Sequence, residues 1–213
     1  MTLRKKTAIG ILWNFGERFG LQIMRFVISV FLTRLLTPAD YGLIGMIAVF
    51  PAIANTLVDS GLSISLIRSK NIDEDDLTTI FYFNLIVSVL IYIIIYSSSG
   101  WIAGFFSEPE LLNLIRVISL TVIINAFSTI QITKLTKELN FKKQFSIQLP
   151  SSILSGIIGI VMALNGYGVW SLIGYTLSGA VIKNLQLWLI KPWIPSGKFS
   201  RVVLKKHLSF GLN

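Results

Sequence analysis

The chain contains no cysteine, which excludes disulfides and thiolate metal sites. Its one histidine, His207, leaves no material for a His-based metal centre or a Ser-His triad. No cofactor and no catalytic set is expected. Charge is scarce too: 14% of residues are Asp, Glu, Lys or Arg, against about 25% in soluble domains. Apolar residues fill the gap, at 53% of 213 positions with mean hydropathy +0.72. This is the composition of an integral, all-α, polytopic membrane protein.

Acidic residues number 10 against 19 Lys and Arg, a net charge of +9. The surplus does not point to nucleic acid, because of where it falls. Most of it lies at Arg4, Lys5, Lys6; Arg68, Lys70; Lys134, Lys137, Lys142, Lys143; and Lys191, Lys198, Arg201, Lys205, Lys206. Those are alternate ends of successive apolar runs, a positive-inside asymmetry that places the N-terminus in the cytoplasm. Arg4-Lys5-Lys6 before an apolar run imitates a signal peptide. Glu17 and Arg18 interrupt that run and no small-x-small cleavage site follows, so it reads as an uncleaved first span.

Six spans are expected, at about 7–34, 41–67, 77–104, 111–133, 145–164 and 168–190, making one transmembrane unit over 1–190. Residues 191–213 read as a basic cytoplasmic segment and the start of a seventh helix. Thr37-Pro38-Ala39-Asp40 has the grammar of a helix start, and Ser107-Glu108-Pro109-Glu110 repeats it. Pro51 should kink the second span. Asp73-Glu74-Asp75 can be read as a D-x-D metal site, or as acids favoured at the N-terminus of the third span; the second reading is preferred. Ser151, Ser152, Ser155, Gly156 and Gly159 point to close helix packing in the fifth span. Asn165-Gly166-Tyr167-Gly168 reads as a tight outer turn, and the five tryptophans as an interfacial belt.

The stretch with most chemistry is the first span. Asn14, Arg18, Gln22, Arg25 and Ser29 recur at helical spacing and share one face. Thr7 to Arg34 spans about 42 Å at 1.5 Å per residue, so Arg18 sits near mid-depth and Arg25 roughly 10 Å further on. A charge there costs about 3 kcal/mol unless it faces protein or a wet cavity. Two roles stand open for the arginines: holding a phosphate or acidic sugar, or pairing with Glu17 and Asp59 as buried ion pairs. Asp59 and Glu17 are in turn the candidates for ion coupling, since a carboxylate in a low-dielectric setting can exchange a proton or bind a cation. Lys183 in the sixth span either lines the same cavity or snorkels to the inner surface. The candidate substrate-binding set is therefore Arg18, Arg25, Asn14, Gln22 and Lys183.

Leu32-Thr33-Arg34-Leu35-Leu36-Thr37-Pro38-Ala39-Asp40-Tyr41-Gly42-Leu43-Ile44 resembles the signature between the first two helices of bacterial polysaccharide flippases. These are the Wzx-like members of the multidrug/oligosaccharidyl-lipid/polysaccharide exporter superfamily. Asp59-Ser60-Gly61-Leu62, Phe105-Phe106-Ser107-Glu108-Pro109, Leu139-Asn140-Phe141-Lys142 and Gly166-Tyr167-Gly168-Val169-Trp170 are similar to further pieces of that family. The resemblance implies two six-helix lobes around a cationic cavity, of which this chain resembles the N-terminal one. It implies flipping of polyprenyl-diphosphate-linked oligosaccharide across the bacterial cytoplasmic membrane, with the missing lobe or a homo-oligomer partner supplying the other half. The rival readings are a drug/cation antiporter of the same superfamily and a truncated, non-transporting fragment or assembly scaffold. A polymerase or ligase is disfavoured by the short outer loops.

Overall fold

Backbone polar groups in hydrocarbon must be satisfied internally, and among the described residues this is done by helices alone. The structure, a computed structural model, describes residues 3–59, 61–69, 71–190 and 193–211, with side chains described within 19–208. In order come α1 (Leu3–Leu35), α2 (Pro38–Asp59), α3 (Leu62–Arg68), α4 (Glu74–Phe105) and α5 (Leu111–Ile118). There follow α6 (Leu120–Lys137), α7 (Phe141–Leu164), α8 (Trp170–Ile190) and α9 (Arg201–Gly211). Long helices alternate in direction, which gathers α3, α9 and the lysines that end α6, Lys134 and Lys137, at one end, the basic end. The tight turns after α1, α4 and α7 lie at the other.

By length and composition, α2, α4, α5 together with α6, and α7 can each cross a membrane. The chain is thus a multi-pass membrane protein. With 21 residues α8 is long enough too, but Lys183, Asn184 and Gln186 lower its hydropathy. Together with α1 it completes the six-span reading proposed below.

Three expected features are corrected. The second span is not unbroken over 41–67: α2 ends at Asp59 and Gly61 turns at φ 73° into the short α3. The proline expected to disturb it, Pro51, lies inside α2. The fourth span is one helix through Ser119, which keeps helical φ −67° and ψ −16° with its N–H on the Ile115 carbonyl, and it runs on to Lys137. Ser107 does not cap α5. It sits at φ 55° and is spent ending α4, its N–H on the Gly104 carbonyl and that of Glu108 on the Ala103 carbonyl.

Other local grammar is realised as written. The Thr37 N–H donates to the Asp40 carboxylate at 2.9 Å, and the Asp40 N–H to the Thr37 hydroxyl at 3.3 Å. Asp73 and Asp76 form the same reciprocal box at the start of α4, so these acids serve the helix end. Gly166 and Gly168 take φ 79° and 52° in the α7–α8 turn.

Four apolar clusters are found among the described residues, the smallest being Leu135, Ile147 and Leu187. Ile47, Ile95, Leu114, Val122 and Ile173 join α2, α4, α5, α6 and α8. Leu62, Leu66, Ile80, Phe81, Ile130 and Trp193 close the basic end. Ile28, Leu32, Ala163 and Leu172 join α1, α7 and α8. Lipid is as apolar as these side chains, so fit rather than burial decides which helices meet. A Cβ on Gly156 would meet Ile28 Cδ1 at 2.5 Å, and one on Gly159 would meet Tyr175 Cβ at 2.9 Å. Bare glycine is what lets α1 and α8 close on α7. The tryptophans do not all form a belt: Trp101 is exposed, but Trp193 is buried and Trp188 donates to the Phe127 carbonyl at 3.2 Å.

Candidate functional site

Between α1, α2, α6, α7 and α8 lies a cavity of about 350 Å³. Its polar wall is built from Arg25, Asn55, Asn125, Gln148, Tyr175 and Lys183, one or two from each helix. Asn55 follows Pro51 by one turn, and its Nδ2 donates to the Pro51 carbonyl at 2.6 Å. This turns its Oδ1 toward α6, where it accepts from Asn125 Nδ2 at 3.3 Å. Asn125 Oδ1 in turn accepts from Lys183 Nζ at 3.3 Å. Beside this relay, Gln186 Nε2 donates to the Ser151 hydroxyl at 2.9 Å and Asn184 Nδ2 to the Ile124 carbonyl at 2.9 Å. Ser151, Ser152 and Ser155, read from sequence as packing residues, also line the cavity.

Toward the basic end a second cavity of about 180 Å³ shares Arg25, Gln148 and Lys183 with the first. Among the described residues no Asp or Glu lines either one. Lys183 is held by the neutral Asn125, and the exposed Arg25 lines both walls, so both charges face a ligand. In a low-dielectric pocket that charge favours an anion and disfavours a second cation.

Of the residues expected from sequence, Arg25 and Lys183 are brought together. Lys183 lines the cavity rather than snorkelling. Gln22 is exposed and lines neither cavity. The side chains of Asn14, Glu17 and Arg18 lie outside the described residues. Asp59 is not among the lining residues: its Oδ1 accepts from the Ser63 N–H at 3.3 Å and from the Ser63 hydroxyl, steadying the start of α3. Asn55, Gln148 and Tyr175 were missed. Thr56 and Thr176 adjoin Asn55 and Tyr175, and Gln148 lies among Gln144, Ser146 and Ser151, so none stands out, and the one available signal, Asn55 a turn after Pro51, is weak.

A family model described as polysaccharide biosynthesis protein matches residues 31–213. The chain belongs to that family. It is 23% identical over 202 residues to the succinoglycan biosynthesis transport protein ExoT of Rhizobium meliloti, covering 94% of this chain and 41% of that protein. It is 26% identical to the teichuronic acid biosynthesis protein TuaB of Bacillus subtilis, with coverage of 99% and 44%. It is 27% identical to the lipopolysaccharide biosynthesis protein WzxC of Escherichia coli, with coverage of 99% and 43%. The chain thus spans less than half the length of the curated relatives it matches, a share consistent with one lobe of two. No solved structure matches it.

Proposed function

We propose that this chain is one six-span lobe of a transporter that flips polyprenyl-diphosphate-linked oligosaccharide across the bacterial cytoplasmic membrane during polysaccharide biosynthesis. The observation that carries the reading is the cavity holding Arg25 and Lys183 without a carboxylate among its described lining residues. A diphosphate fits that sign, and a guanidinium matches phosphate geometry. Family membership supports a polysaccharide role. The positive-inside asymmetry supports a cytoplasmic basic end and N-terminus. The partners are the lipid-linked substrate, the bilayer, and a second lobe or second copy against which this bundle rocks; the role is transport and not catalysis. Arg18 belongs to the same anion-attracting stripe, and Glu17 or Asp59 supplies ion coupling if flipping is ion-driven.

The cavity's charge disfavours the rival drug/cation antiporter, whose substrates it would repel. Binding to the chain in nanodiscs separates the two. Farnesyl diphosphate is expected to bind, and Arg25→Ala or Lys183→Met to weaken it about 10- to 100-fold, one charge-assisted contact each. Tetraphenylphosphonium is expected not to compete. Tight tetraphenylphosphonium binding with no farnesyl diphosphate binding would return the antiporter.

A further inference from the structure

A third cavity, of about 250 Å³, adjoins the second across Leu135, Ile147 and Leu187, which line both and pack together. This third space lies at the basic end, under the segment that follows α8. Its polar lining differs in kind from that of the Arg25–Lys183 cavity: Glu74, Gln131, Lys134, Glu138, Lys143 and Trp193. Two ammonium groups face two carboxylates, so the wall carries no net charge. Part of it is already committed. Trp193 Nε1 donates to Glu74 at 2.7 Å, and Lys134 Nζ lies 3.9 Å from Glu74 and 5.7 Å from the centre of the Trp193 ring. Gln131 is not committed. It is 5% exposed, and its Nε2 has no hydrogen-bond partner. A buried amide donor without an acceptor costs stability, so its place in the wall of a cavity asks for a ligand acceptor.

The geometry points to this cavity as a subsite for the first sugar of the glycan, a neutral polyhydroxyl whose groups both donate and accept. The proposal rests on the flippase reading above. Position supports it: Asn125 meets Lys183, while Gln131 and Lys134 lie six and nine residues further along α6, about 9 and 14 Å at 1.5 Å per residue. A diphosphate at Arg25 and Lys183 therefore leaves a short saccharide stub at the level of Gln131. With two ammonium groups against two carboxylates, the wall favours neither an anion nor a cation over a neutral occupant.

The test measures binding to the chain in nanodiscs of farnesyl diphosphate and of farnesyl diphosphosugars carrying a hexose, an N-acetylhexosamine or a uronic acid. At least one sugar-bearing ligand is expected to bind about tenfold tighter than the sugar-free one, the scale of one satisfied buried donor. Gln131→Leu should abolish that gain, leave farnesyl diphosphate affinity within about twofold, and keep or raise the melting temperature, because it removes an unpartnered amide. If farnesyl diphosphate binds but no sugar tightens it, or if the gain survives Gln131→Leu, the subsite is wrong and the flippase reading stands. If neither kind of ligand binds, both fall together.

Discussion

Asp59 shows how a residue's neighbours decide its role. Isolated in an apolar run it reads as an ion-coupling carboxylate; in the fold it receives the N–H and hydroxyl of Ser63 where α2 gives way to α3. Asp59→Ala should cost about 1 kcal/mol as a lost cap, read as a lower melting temperature in detergent. Asp59→Asn keeps an acceptor and should keep stability, while flux falls if Asp59 carries the coupling ion. Normal stability with unchanged flux in the Asn variant would remove Asp59 from the coupling role. The glycines give a second contrast at this scale. Gly159→Val drives side-chain atoms into Tyr175, and overpacking of that kind costs about 1–3 kcal/mol. Gly42→Ala has nothing within 4 Å and should stabilise α2 by up to about 1 kcal/mol through helix propensity. Equal melting temperatures for the two variants would contradict the packing described for α7 and α8. Lys183 admitted two readings in the sequence because its depth was known and its neighbours were not. Only the contact with Asn125, 58 positions away, chooses between them.

At the scale of elements, the segment between α8 and α9 is lashed across the first turns of α4. The Lys198 N–H donates to Asp75 at 2.7 Å, the Gly197 N–H to the Thr78 hydroxyl at 3.1 Å, and the Ser200 N–H to the Thr79 hydroxyl at 3.0 Å. In α9 the buried His207 ring then bridges the Ser65 hydroxyl of α3 at 2.7 Å and the Asp76 carboxylate of α4 at 3.2 Å. His207→Ala strands both partners, at about 1–3 kcal/mol. Amide exchange in 193–208 should accelerate while that of α7 is unchanged. Unchanged exchange in 193–208 would show that the histidine does not hold the strap. In sequence His207 was evidence only of what it excludes. The helix starts at Thr37 and Asp73 were legible because capping is local, carried by residues three apart. The break at Gly61 was not read, although Asp59-Ser60-Gly61 interrupts the apolar run with polar residues and a glycine.

The molecule as a whole is a bundle whose polar interior is a string of three cavities from mid-bundle to the basic end. The membrane class was legible from composition. Helix pairing was not, because small residues at the α7 contacts look alike wherever their partner lies. Alternating access moves one bundle against another, so a single lobe is expected to bind substrate and to need a second lobe for flux. The central claim is tested in cells lacking their own flippase, by following lipid-linked oligosaccharide on the cytoplasmic leaflet. The chain is supplied alone, joined to a second lobe, and joined with Arg25→Ala and Lys183→Met. The account predicts that the joined form relieves the accumulation and that the double variant, at equal membrane abundance, does not. Accumulation that persists with the joined form, or relief that survives loss of both cations, would contradict it.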